Sequence, residues 1–497
     1  MKMSIQIKRV MKNSKRLTLQ YLASLVLLLF SLACAVNPVT KRTELVLMSE
    51  QQEIEFGRQE NPNILKKYGD YDSKTLQDYA TQVGQKLARI SDRPDLVFHF
   101  RVVNSPVLNA FALPGGYVYV TRGLFAYINS EAELAGVIGH EIGHVNARHA
   151  VKQYTQAAGY QIASGVLSIF VPQARNLGQL SDIIFVGISR GYSREYELEA
   201  DQLGIKYAAL AGYDPAGVQS FLTSLERVDK ATNEKTYHGL FSTHPETKTR
   251  IEKAIMEIKN SPSFSSQKFA TLETEYKNHI DGLLYGTDPK EGVVIKNVFR
   301  HPDLRIEVTL PNDWKINNES DLLSASHPQK EYHIQMMVQD MGKRMTADQL
   351  ARLIAQKNNL REISGSATRI NGLEAYVGTY QGNVQQLGVI GIKGGFIIHG
   401  DKIYSLLGFC PAQEFKNAEN FFTTTIYSFR ELTLQEAEKI KPARIRLYVV
   451  QKGDTFETIA SKTGESREEA KTLALMNGFN ASDTPPVGKK IKVIEKE

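Results

Sequence analysis

His140-Glu141-Ile142-Gly143-His144 sets two histidines four residues apart, with a glutamate between them. Residues at i and i+4 share a helix face, so the two imidazoles can bind one divalent metal, and zinc suits this pair. Glu141 lies about 100° round the helix, beside such a metal rather than on it. That is where a general base acting on water belongs. The chemistry implied is metal-assisted hydrolysis.

A catalytic zinc needs a third protein ligand and an open fourth position. The metzincin spacing would require Gly at 147 and His at 150, but both are Ala. His149 follows His140 by nine residues, about 180° away on a continuous helix. It reads as a surface or second-helix contact. Downstream, Ser193-Arg194-Glu195-Tyr196-Glu197-Leu198-Glu199-Ala200-Asp201 offers three glutamates. Glu197 and Asp201 share a face, whereas Glu195 and Glu199 point about 200° away from Glu197. Glu197 is therefore the expected third ligand. Asp201 is the expected acceptor for the free N–H of a ligating histidine.

These residues need helices to hold them. Ser130 and Glu133 make a capping box, and residues 130–152 read as one helix with an apolar lead-in of Ala132, Leu134, Ala135, Val137 and Ile138. Gly143 inside it costs about 1 kcal/mol relative to Ala, so another backbone or a substrate is expected to approach closely there. Residues 193–212 read as the second helix. Asp214-Pro215 opens a third, running to about Val228. Residues 44–91 alternate helical and turn segments, and Leu96–Val103 and Tyr117–Val120 read as strands. Residues 153–192, rich in Ala, Gly, Ile and Leu, read as a lid over the cleft or as core-packed helices.

HExxH followed by Glu197-Leu198-Glu199-Ala200-Asp201 resembles the gluzincin metallopeptidase family of bacterial HtpX and BepA and of the CAAX prenyl endopeptidase. The run Asn109-Ala110-Phe111-Ala112-Leu113-Pro114-Gly115-Gly116-Tyr117-Val118-Tyr119-Val120 resembles that family too. The likeness spans about residues 45–260. It implies one zinc per chain on His140, His144 and Glu197, with Glu141 as base. It also implies an edge strand that holds an extended peptide by strand addition. Phe241-Ser242-Thr243-His244-Pro245 and Arg250 resemble the end of the BepA-like domain. His244 would then approach the zinc, either to stabilise an oxyanion or to occupy the fourth site and hold the enzyme off. Arg250 would face developing negative charge. HtpX-type relatives carry transmembrane helices, whereas the apolar run Gly165–Val171 is too short to span a bilayer. The resemblance is therefore to the periplasmic branch.

Residues 1–33 hold six Lys/Arg and no Asp or Glu. Without them the chain has 54 basic and 54 acidic residues, so its net charge of +6 reads as targeting. A nucleic-acid partner is not expected, because such proteins keep a basic body. The uncharged stretch Leu17–Ala33 reads as a secretory signal, with an uncleaved anchor as the alternative. Ser31-Leu32-Ala33-Cys34 resembles a lipobox. That resemblance implies acylation of Cys34 and, with Ala35 following, an outer-membrane lipoprotein. The other cysteine, Cys410, is expected to be a buried small hydrophobe.

From Val293 to Arg430 short alternating strands recur: Leu304–Leu310, Tyr332–Val338, Leu373–Tyr380, Leu387–Ile392 and Ile403–Leu407. Two helices interrupt them, one with a capping box at Thr346 and Gln349. This region carries Trp314 and reads as a packing or docking module. After a linker at Lys439–Arg446, residues 448–494 resemble a LysM domain, from Tyr448-Val449-Val450-Gln451-Lys452-Gly453-Asp454-Thr455-Phe456 through Asn477 to Val487–Val493. LysM modules have a βααβ fold and bind peptidoglycan. The implied glycan residues are Gly453, Asp454, Thr455 and Asn477.

The expected architecture is multi-domain α+β. A signal peptide occupies 1–33. A mainly helical zinc protease domain with a small edge-strand sheet occupies 34–290, an α+β accessory domain 291–438, and a LysM domain 447–497. The expected function is a periplasmic zinc endopeptidase that degrades misfolded or stalled envelope proteins, tethered to the outer membrane and to peptidoglycan. A peptidoglycan-cleaving metallopeptidase and a chaperone or assembly factor with little proteolytic activity stay open as alternatives.

Overall fold

Ser130 Oγ accepts the Glu133 N–H at 3.1 Å and starts the central helix. The reciprocal half of the expected capping box is replaced. Glu133 instead accepts the Asn129 N–H at 2.7 Å and the Ser220 hydroxyl at 2.6 Å. The computed structural model describes residues 34–163, 184, 191–232, 240–244, 247–265, 267–319, 322–341, 345–384, 388–464, 466, 469–480 and 482–496. The leader, most of the 153–192 segment including Gly165–Val171, and Pro245 lie outside the described residues.

The chain divides into two units, one made of residues up to Leu283 together with Ile445–Glu495, the other of Leu284–Arg444. In the first unit an antiparallel strand pair, Cys34–Val36 with Thr43–Leu45, precedes helices α1 (Glu50–Tyr68) and α2 (Lys74–Ala88). A small sheet follows, of β1 (His99–Val103), β2 (Ala110–Leu113) and β3 (Tyr117–Thr121). β3 lies in the middle, parallel to β1 and antiparallel to β2, which leaves β2 at the edge. Gly115 and Gly116 turn the chain between β2 and β3 with φ of 85° and 93°. A side chain on Gly115 would meet the Glu53 carbonyl oxygen at 2.5 Å, so glycine is needed twice over.

The central helix α3 runs Glu131–Asn146, and every residue from Ala132 onward is buried. A helix apolar nearly all round belongs in an interior. The expected single helix over 130–152 breaks at Arg148, whose φ is +59°. The Arg148 guanidinium binds Glu53, and its Nη2 donates to the Met48 carbonyl at 2.6 Å. That anchorage holds the chain out of helical register, and α4 starts afresh at His149 and runs to Ala163. Helix α5 (Arg194–Leu210) is capped by Ser193. In α6 (Ala216–Thr232) Asp214 Oδ1 accepts the Ala216 N–H at 2.9 Å. Then come α7 (Thr247–Asn260) and α8 (Glu273–Ile280). No described helix is long and apolar enough to cross a membrane.

The second unit holds a seven-stranded antiparallel sheet. Its spatial order is 315–318, 323–326, 333–340, 402–411, 388–399, 373–384 and 361–370. Helix α9 (Ala347–Lys357) carries the Thr346–Gln349 capping box. Helix α10 (Phe415–Ser428) joins a core of Trp314, Ile334, Leu406, Cys410 and Phe422. The strand Arg361–Ile370 was not expected from the sequence.

Residues 445–495 pack into the first unit rather than standing apart. They contain α11 (Phe456–Lys462), α12 (Glu469–Met476) and all but the final residue of a last strand at Lys490–Lys496. The expected linker is already partly strand, from Ala443 to Val449. Lys492 is fully buried and its Nζ donates to the carbonyls of Ala126 and Ile128, both at 2.7 Å. Lys277 Nζ donates to the Lys490 carbonyl at 2.7 Å, and Arg227 Nη1 to that of Gly478 at 2.8 Å.

Candidate metal centre

Helix α3 supplies His140, Glu141 and His144, helix α5 supplies Glu197 and Asp201, and the segment before α7 supplies His244. All six are buried. α3 and α5 lie close because Gly143 presents no side chain to Ala200 and Leu203. This is the close backbone approach anticipated at that glycine.

His140 Nε2 and His144 Nε2 are 2.9 Å apart. Glu197 Oε2 lies 3.5 Å from the first and Oε1 3.5 Å from the second. His244 Nδ1 completes the group, 3.2 Å from His140 Nε2 and 2.9 Å from Glu197 Oε1. A tetrahedron with zinc–ligand arms of about 2.0–2.1 Å has edges of about 3.3–3.4 Å, close to these separations. The chemistry of the donors also fits. His140 Nδ1 lies 2.9 Å from Asp201 Oδ1, and an ionised carboxylate can only accept. A proton on Nδ1 would leave a bare lone pair on Nε2. Two imidazole nitrogens and a carboxylate crowding one point require a cation. Glu141 Oε1 is buried without a hydrogen-bond partner among the described residues, and 3.5 Å from His244 Nε2. That orphaned oxygen suits a water that Glu141 would deprotonate.

Burial opposes the charge on Glu197, but His244 and Arg250 overcome it and hold the carboxyl well below its ordinary range. Burial likewise opposes charge on Asp201, which Arg250 and His140 nevertheless keep ionised. Burial drives Glu141 the other way, and its pKa is raised despite His244 and His140. His144 is pushed far down by burial. In His244 burial favours the neutral ring, yet Glu197 and Glu141 outweigh it and raise the pKa.

Arg250 bonds two carboxylates of the centre. Its Nε and Nη2 donate to Asp201 at 2.7 Å each, and Nη1 lies 2.9 Å from Glu197. Arg250 thus pairs with two carboxylates of the centre and lines the same pocket as Glu141 and His244. His149 is not on the surface, and it makes the second-helix contact that the sequence left as the other reading. It is wholly buried at the start of α4. Tyr192 stacks on His144 with ring centroids 4.1 Å apart, and nothing in the local sequence marks it. Edge strand β2 borders the centre, where Ala112 and Leu113 line a small cavity together with His144 and Tyr192.

Of the residues expected to meet glycan, Asp454 accepts from Tyr448, the Gln451 N–H and Lys462. The Asn477 amide bonds the backbone of Leu473 and Lys492. Thr455 caps α11. Gly453 alone is open, with φ of 89°. The Asp454 and Asn477 side chains thus hold the module's own fold.

Residues 74–258 match the model for Peptidase family M48, and residues 448–493 match that for the LysM domain. The mitochondrial metalloendopeptidase OMA1 of Schizosaccharomyces pombe is 31% identical over 44% of this chain and 64% of its own length. The beta-barrel assembly-enhancing protease of Yersinia pestis is 27% identical over 61% of this chain and 65% of its own. That of Escherichia coli K12 is 30% identical over 40% and 43%. The chain thus spans less than two thirds of each of these relatives. The helices, donors and spacing agree with these matches, by which residues 74–258 are similar to Peptidase family M48 and residues 448–493 to the LysM domain.

Proposed function

We propose that this chain is a zinc-dependent endopeptidase of the bacterial cell envelope. The observation that carries the reading is the convergence of His140, His144, Glu197 and His244 within 4.8 Å, beside the unpartnered oxygen of Glu141. Zinc held there supplies Lewis acidity toward a scissile carbonyl. His140, His144 and Glu197 hold it, Asp201 orients His140, and Arg250 orients Asp201 and Glu197. Glu141 takes a proton from the attacking water and delivers it to the leaving amine. Its raised pKa suits both halves of that task. An extended substrate lies along β2, adding a strand to the sheet edge.

His244 is the gate. As a fourth donor it fills the position that substrate chemistry needs open, and its withdrawal frees Glu141 as well. The relatives named as beta-barrel assembly-enhancing proteases support unfolded or misassembled envelope proteins as substrates. The leader and Cys34 support a lipid anchor in the outer membrane, facing the periplasm, and the LysM segment supports contact with peptidoglycan.

The test is cleavage of casein by residues 35–497, beside Glu141→Gln, with zinc quantified in both. The reading expects about one zinc per chain in both and cleavage by the wild type alone. Equal cleavage by the two would remove Glu141 from the mechanism, and no zinc in either would remove the metal.

A further inference from the structure

The outer nitrogens of the two α3 histidines are held by different groups. His140 turns Nδ1 to Asp201. His144 turns Nδ1 to His149 Nδ1 at 2.9 Å, and His149 turns Nε2 to Glu199 Oε2 at 3.1 Å. His149 is 0% exposed, and Tyr196 stacks on it with centroids 4.4 Å apart and planes at 13°. Glu199 is a quarter exposed, at the outer end of the series.

The direction of these bonds follows from their ends. Glu199 as a carboxylate only accepts, so His149 Nε2 carries a proton. In the neutral ring His149 Nδ1 is then bare and accepts. The proton between the two rings therefore belongs to His144 Nδ1. A neutral His144 is left with its lone pair on Nε2, the atom that meets His140, Glu197 and His244.

We infer that His149 and Glu199 are positioning residues for His144, a one-way hydrogen-bond chain fixing the tautomer and ring orientation that present Nε2 to zinc. Each metal-binding histidine then has its own carboxylate, Asp201 directly for His140 and Glu199 through His149 for His144. This rests on the zinc reading above. Loss of such an outer partner typically weakens metal binding or activity by about 10–100-fold.

The test compares His149→Leu, which fills space but cannot accept, with His149→Asn, of similar size with an acceptor oxygen near the Nδ1 position. Zinc affinity of the whole chain is read by competition with a chelator, and ligand geometry by the absorption spectrum of the Co²⁺-substituted protein. Melting of the metal-free proteins checks the fold. H149L should weaken zinc binding by about 10–100-fold, with an altered Co²⁺ spectrum, and H149N should recover most of the loss. Wild-type affinity in H149L, or equal loss in H149N, would overturn the inference and leave His149 a packing residue. If H149L does not fold, Glu199→Ala decides: weakened zinc supports the chain, and unchanged zinc overturns it. A wild-type chain that takes no zinc would sink the zinc reading itself, a separate failure.

Discussion

Replacing Gly143 by alanine tests the packing that sets the metal site. A Cβ there would lie 3.1 Å from Leu203 Cβ, 3.2 Å from the Ala200 carbonyl oxygen and 3.3 Å from Ala200 Cα. Carbon atoms prefer separations of about 3.5–4.0 Å, so α5 must retreat from α3 by several tenths of an ångström. Ala200 stands between Glu197 and Asp201 on that helix. Its retreat draws the third ligand away from His140 and His144. Metal–ligand distances tolerate deviations of only about 0.2 Å. The fold is less sensitive. Alanine contributes about 1 kcal/mol as the better helix former, while overpacking costs about 1–3 kcal/mol, a net loss of about 0–2 kcal/mol. G143A should therefore melt at or somewhat below the wild-type temperature without metal, and its added stability on zinc loading should shrink clearly. Chelator competition and melting curves with and without zinc give both quantities. A variant that binds zinc as tightly as wild type and melts higher would refute the reasoning, because it would mean that the two helices have room between them.

His244→Ala should raise casein cleavage at unchanged zinc content if His244 is a gate; unchanged or lower cleavage would end the inhibitory role. Lys492→Met keeps the length of the buried side chain but strands the carbonyls of Ala126 and Ile128. It should cost about 1–3 kcal/mol in denaturant unfolding of the first unit; a raised midpoint would show that relief of a buried ammonium outweighs the two bonds. In the second unit, hydrogen bonds from Arg430 and then Thr433 lower Glu436 from 4.5 to about 2. A folded pKa below the unfolded one gives stability that is complete above about 4.5 and fades as pH falls towards 2. Glu436→Gln should flatten the acid limb of the stability curve over that window, and parallel curves would count against the bond.

The parts of the site that were legible in the sequence are those whose chemistry depends on spacing within one helix. His140, Glu141 and His144 on α3, and Glu197 with Asp201 on α5, can each be placed by angle alone. The parts that were not legible come from distant chain. Tyr192 covers His144 from beyond a long intervening segment, and Glu53 and Met48 seize Arg148 from about a hundred residues upstream. Likewise, Arg361–Ile370 shows no apolar alternation because nearly all its residues are exposed. It is a strand because Leu373–Val384 pairs with it. His149 combines both cases. The angular argument that removes it from the ligand set assumes one helix through residue 149, and neither Ala147 nor Arg148 is a residue that announces a break. The break comes from Glu53, which binds Arg93 as well as Arg148 and so keeps a buried carboxylate compensated. That ion cluster turns the chain at Arg148, and the turn swings His149 back against the outer nitrogen of His144. A helical wheel excludes His149 as a ligand to the metal, correctly, but cannot find it as a partner of the ligand, because the wheel ends at Ala147.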